Sequence, residues 1–103
     1  MELNNLLKIS DEELEEQFIY YFGKDKWEQE NELARLLPIQ MIISDYLNIE
    51  LIPVIVEDIE CESIYNKELN YIAISSRIIL NKELVIINLI KQLINIRSTN
   101  ADS

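Results

Sequence analysis

Apolar positions along this chain follow two different rhythms, and the changes between them mark out the elements. Leu14, Phe18, Ile19 and Phe22 fall on one stripe of a 3.6-residue repeat. Ser10 stands before them as a helix N-cap, with Glu13 three residues on to close a capping box, and Gly23, the only glycine, follows as a stop. The spacing predicts a helix over 11–22. A second helical pattern runs from Trp27 through Leu33, Leu36, Ile39, Ile43 and Leu47. Pro38 removes a backbone donor inside it, which predicts either a kink or a break with a new helix beginning there. Asn48 fits a left-handed cap at its end.

From Ile49 to Val56 the residues turn aliphatic and β-branched in a short run, as in a strand, and Pro53 assigns that strand to an edge or its own start. Ser63-Ile64-Tyr65 and Asn70 to Ile74 read as two further strands. Without glycine between them, a four- to five-residue loop is expected rather than a tight primed turn. A last helix starts near Asn81 or Lys82. Leu84, Ile86, Ile87, Leu89, Ile90, Leu93, Ile94 and Ile96 cover most of it, while Asn88, Lys91, Gln92 and Asn95 recur as a single polar stripe, expected to be its one wet edge. Residues 98–103 are expected to fray. The predicted fold is α+β, one domain over 1–103: two N-terminal helices, the second kinked at Pro38, a small three-stranded sheet and a C-terminal amphipathic helix.

Charge alters this picture. The net charge is −10, with 19 acidic and 9 basic residues, which argues against a direct nucleic-acid partner, since such binding relies on cations that displace counterions from phosphates. Two readings of the acidity stand: it keeps a very aliphatic protein soluble, or an acidic face occupies a basic surface on another protein. No apolar run reaches the ~20 residues that span a bilayer, and the start of the sequence lacks a leader pattern, so no membrane and a cytoplasmic location are expected. Cys61, the single cysteine, cannot form an internal disulfide.

Candidate chemistry is sparse. There is no histidine, so Ser-His-Asp and Cys-His arrangements are out of reach. Glu57, Asp58, Glu60 and Glu62 lack the spacing of a calcium loop, and a single glycine cannot build a phosphate cradle. No catalytic residue, metal ligand or cofactor is expected. Aromatic residues crowd the end of the first helix, where one stripe cannot bury them all; Phe18, Phe22 and Trp27 are assigned to the core. Tyr20 and Tyr21, with Glu12, Glu15, Glu16 and Glu28, are then the candidate partner-binding residues, because tyrosine covers much area with few torsions to freeze.

The order of elements over roughly residues 30–97 resembles the minimal zinc peptidases of the ImmA/IrrE family. The matching pieces are Asn48-Ile49-Glu50-Leu51-Ile52, then Ile64-Tyr65 with Tyr71-Ile72-Ala73-Ile74, then the helix from Glu83 to Ile96. The resemblance implies that Lys91 takes the first histidine position of a His-Glu-x-x-His helix, Gln92 the glutamate's and Asn95 the second histidine's. Lysine has no lone pair at neutral pH and glutamine is no general base, so the resemblance implies a scaffold that has lost its catalyst. The alternative is that these positions are only the solvent edge of an amphipathic helix. The expected function is a non-enzymatic, acidic protein-binding module, acting as an accessory or inhibitor protein of bacterial or phage origin. The alternative is a homo-oligomeric or enzyme-completing subunit with the last helix as its interface.

Overall fold

A computed structural model describes residues 3–101, with side chains from Asn5 to Thr99. Among the described residues, five α-helices and three strands run in the order α1 (Leu3–Leu7), α2 (Asp11–Phe22), α3 (Lys24–Gln29), α4 (Leu37–Leu47), β1 (Val54–Glu57), β2 (Ser63–Asn66), β3 (Tyr71–Ser75) and α5 (Lys82–Ala101), with a 3₁₀ turn at Ala34–Leu36 leading into α4. The α+β reading holds. Helix α1 lies outside what the sequence pattern announced: Leu6 is driven into the core beneath it, and α1 packs on α5.

Local capping chemistry sets the helix ends. Ser10 Oγ accepts from Glu13 N–H at 3.1 Å, satisfying one orphan donor of α2. At the other end Gly23 adopts φ 90°, and its N–H donates to Ile19 O at 2.9 Å. Asn48 closes α4 in the left-handed region at φ 55°. Pro38 does not kink a continuous helix; of the two outcomes its ring allows, the structure has the break. The chain leaves helical geometry after Gln29, re-enters through the 3₁₀ turn, where Asn31 Oδ1 accepts from Ala34 N–H at 2.8 Å, and Pro38 sits in the first turn of α4, where its missing donor costs nothing.

The sheet has the order β1-β3-β2, with β3 parallel to β1 and antiparallel to β2. Four residues, 67–70, join β2 to β3, with Leu69 N–H on Asn66 Oδ1 at 2.9 Å and Asn70 at φ 56°. The first strand is shorter than the 49–56 run predicts, because Ile49 to Pro53 serves α4 instead: the Gln40 amide donates to Ile52 O and holds that segment against the helix. Pro53 precedes an edge strand, as expected. Ile72 and Ile74 of the central strand meet Ile39, Ile43, Val85, Ile86, Leu89 and Leu93 in one core between sheet and helices.

Helix α5 continues through Ala101, with Thr99 Oγ1 donating to Asn95 O at 2.9 Å, so residues 98–101 are helical rather than frayed; 102 and 103 lie outside the described residues. Its first residue ties the two ends of the fold, for Lys82 Nζ stands 2.7 Å from Asp11 Oδ1, at the start of α2. The hydrogen bond from Lys82, and then its charge, hold the Asp11 carboxyl below its ordinary 3.8. A carboxylate with a lowered folded pKa stabilises the fold above that ordinary value, and the contribution is lost as pH falls through the lowered one. Asp11→Asn should therefore lower the melting temperature slightly at pH 7, and the gap from wild type should close as melting curves are taken further below pH 3.8.

Candidate functional site

Three successive aromatic residues close α2, and successive helical residues point about 100° apart, so the helix cannot bury them all. Phe18, one turn earlier, takes the buried place, with Phe22 at 5.0 Å and Trp27 edge-on at 5.5 Å between ring centroids. Trp27 is only half-buried: the Arg35 guanidinium lies 4.2 Å from its ring centre and donates to Trp27 O from Nε at 3.0 Å and Nη2 at 2.7 Å. That pairing covers one face of the indole and fixes α3 to the 3₁₀ turn. Phe22 is displaced outward, which corrects its assignment to the core. Tyr20 is 81% exposed and Tyr21 50%, and their rings meet edge-on at 5.0 Å, with Phe22 6.2 Å beyond Tyr21. The result is a continuous aromatic ridge on the surface.

The ridge borders a cleft of about 540 Å³ between α2, α3 and α4 on one side and the lead into β1 on the other. Leu33, Leu36 and Leu89 lie deep in it, Phe22, Leu51 and Val54 line its walls, and Lys26 and Glu30 are its charged groups. Leu51, half exposed, also borders a second hollow of about 420 Å³ under Tyr21, formed by α4 and the segment after it. The cleft opens beside β1, whose only strand partner among the described residues is β3.

The predicted acidic residues are not all brought together. Glu12 and Glu16 form one i, i+4 row on α2 that continues into Tyr20, whereas Glu15 lies on the flank of Asp11 and Ile19. Glu28 is exposed on α3, away from that row in sequence and element. Asp11 and Glu32 share a cleft with Lys82 and Arg35, so part of the acidity is answered within the fold. Among the described residues only Asp11 and Asp58 form ion pairs, the latter with Arg77 at 3.9 Å, leaving Glu12, Glu15, Glu16 and Glu28 without one.

The polar stripe of α5 divides in two, which corrects its reading as one wet edge. Lys91 and Asn95 face solvent, but Asn88 is 2% exposed and Gln92 8%. Three residues of helix fall about 60° short of a turn, so Lys91 is rotated that far from Asn88, and Asn95 that far from Gln92. Asn88 and Gln92 find partners on β2 and the residue before it. Ser63 Oγ donates to Asn88 Oδ1 at 2.6 Å and accepts from Gln92 Nε2 at 3.0 Å; Asn88 Nδ2 reaches Leu84 O at 2.9 Å and Glu62 Oε1 at 3.3 Å. The pair one turn apart that faces the sheet is thus Asn88 and Gln92, and the assigned positions Lys91 and Asn95 point away from it. Amides at i and i+4 opposite a Glu-Ser strand start were the available signal in the sequence.

Among the described residues no three histidine, cysteine or acidic side chains stand close enough to hold a metal ion, and no helix is long and apolar enough to cross a membrane. Against known protein families, curated proteins and solved structures, the chain finds no match.

Proposed function

We propose that this chain is a non-enzymatic protein-binding module whose contact surface is the Tyr20–Tyr21–Phe22 ridge and the apolar cleft beside it. The observation that carries the reading is the exposure of three adjoining aromatic rings, of which Phe22 lines the cleft and Tyr21 the hollow next to it. The most extended apolar patches on a protein surface often mark where a partner binds. Tyrosine and phenylalanine are also the side chains that carry binding energy at interface centres, rimmed by polar groups. Glu12 and Glu16 provide such a rim in line with Tyr20, and with a net charge of −10 they suit a partner with a basic surface.

A degenerate peptidase-like ancestry belongs to the same proposal. What supports it is the succession α4, β1, β2, β3 and α5. The oligomer reading has less to rest on, because most aliphatic side chains of α5 are spent on the chain's own core. Those left exposed are Ile87 and Ile94, with the cation of Lys91 between them.

The test is affinity capture from an extract of the source cells, comparing the wild-type chain with Tyr20→Ala/Tyr21→Ala at matched concentration. The expected result is a protein held by the first and lost by the second. Equal retention by both would overturn the assignment of the ridge.

A further inference from the structure

The edge of the sheet beside the cleft is an unfinished ladder. Ile72 N–H donates to Pro53 O at 2.9 Å and Ser76 N–H to Glu57 O at 2.9 Å, so in the parallel register Ile55 and Glu57 turn their backbone groups toward β3. Val54 and Val56 turn theirs the other way, and among the described residues neither has a backbone partner there. The strand carries neither the lysine nor the proline that blunts a free edge, and Ile55 and Val56 are 40% and 41% exposed. The register also sets Val54 and Val56 beside Ile72 and Ile74, on the face of the sheet that meets the helices, and Val54 lines the apolar cleft of about 540 Å³. No residue of β2, the other edge strand, lines it.

We infer that an extended segment of the partner protein, apolar at alternate positions and flanked by basic residues, adds to β1 as a further strand of the sheet. The inference rests on the proposed binding role and adds the conformation and chemistry of what is bound. Only an extended backbone offers donors and acceptors at the spacing that Val54 and Val56 present, since a helix has already spent its own. In an antiparallel pairing, the stronger of the two ladders, the residues opposite Val54 and Val56 exchange both hydrogen bonds with them and send their side chains to the same face. That face is the cleft, where Leu33, Leu36 and Leu89 lie deep. Glu50, Glu57, Asp58 and Glu60 flank β1 along the chain and Glu30 lines the cleft, set against Lys26 in the cleft and Arg77, 3.9 Å from Asp58. In a chain of net charge −10 this balance favours a cationic segment and disfavours a second copy, which would bring the same carboxylates to the same edge.

The experiment is a titration of the isotope-labelled full chain with acetyl-Lys-Thr-Leu-Thr-Leu-Thr-Lys-amide and two methylated forms of it. One carries a methyl on each leucine nitrogen, the other on the nitrogens of the outer threonines, which face away from β1 in the antiparallel pairing. The parent and the threonine-methylated peptide are expected to shift the amide signals of Val54 and Val56. The leucine-methylated peptide, with side chains and charge unchanged but no donor toward β1, should need at least about 10-fold higher concentration. Exchanging both lysines for glutamate should weaken binding by a similar factor. Equal saturation by the leucine-methylated peptide, or shifts that spare residues 54–57, overturns the added strand, and equal saturation by the glutamate peptide overturns the basic partner. A free chain that sediments as a dimer and becomes a monomer with the parent peptide gives the edge to a second copy and likewise overturns the inference. Tyr20 and Tyr21 do not line the cleft, so the capture comparison tests the ridge separately. If the parent peptide binds as expected while Tyr20→Ala/Tyr21→Ala leaves partner capture intact, the ridge reading fails and the edge site stands. If capture is lost and the peptide does not bind, the edge site alone fails.

Discussion

Asn88→Ala should lower the unfolding free energy by about 3 kcal/mol, a large share of what a domain of this size possesses. The side chain is almost wholly buried and takes part in three hydrogen bonds. Its removal strands the Ser63 hydroxyl hydrogen with no acceptor and opens a void between α5 and β2. Glu62, being exposed, can turn to water and adds little, and Ser63 Oγ still accepts from Gln92. The decisive comparison is Ser63→Ala/Asn88→Leu/Gln92→Leu, which exchanges the whole cluster for apolar groups. Because stability depends less on the hydrogen bonds than on leaving none half-made, the triple variant should recover most of the loss. Denaturant unfolding with an unchanged m-value gives both numbers. A single variant as stable as wild type would mean that the cluster carries no weight in the fold.

Loss of the aromatic ridge should act on binding far more than on folding. Each tyrosine at the centre of an interface is worth about 2 kcal/mol or more when truncated, so Tyr20→Ala/Tyr21→Ala should weaken the captured partner at least about 100-fold by titration calorimetry. Tyr20 is mostly exposed in the free chain and Tyr21 half exposed, so the melting temperature should fall far less than the affinity does. Glu12→Lys/Glu16→Lys separates aromatic from electrostatic contributions: rim charges govern the rate of association and its salt dependence more than the lifetime of the complex. A partner whose affinity survives the loss of both rings would place the interface elsewhere.

Much of the secondary structure is legible because its signals are local. Ser10 with Glu13, Gly23 and Asn48 each declare a helix end through the backbone geometry or hydrogen bond they supply, and all three do so in the fold. The shift to β-branched residues marks the strands for the same reason. What the pattern leaves open is long-range. Nothing in residues 54–57 says that they pair with 71–75 in parallel rather than with 63–66. Nor does the repeat of polar residues on α5 tell a solvated side chain from a buried one, since Asn88 and Lys91 differ by about 60° on the helix and the outcome turns on whether Ser63 stands opposite. The exposed tyrosines were legible from crowding alone; the outward placement of Phe22 was not, because it depends on Phe18 and Trp27 filling the space first.

The order of strands in the sheet also governs how the chain can acquire structure during synthesis. β1 and β2 do not touch as a pair; each is joined only to β3, which comes after both. A nascent chain released as far as residue 70 therefore holds two extended segments with no ladder between them, and the helix that roofs them is still inside the ribosome. Residues 71–75 act as a keystone, and until they and α5 emerge Ile39, Ile43 and Ile52 lack the later half of the core that covers them in the finished fold.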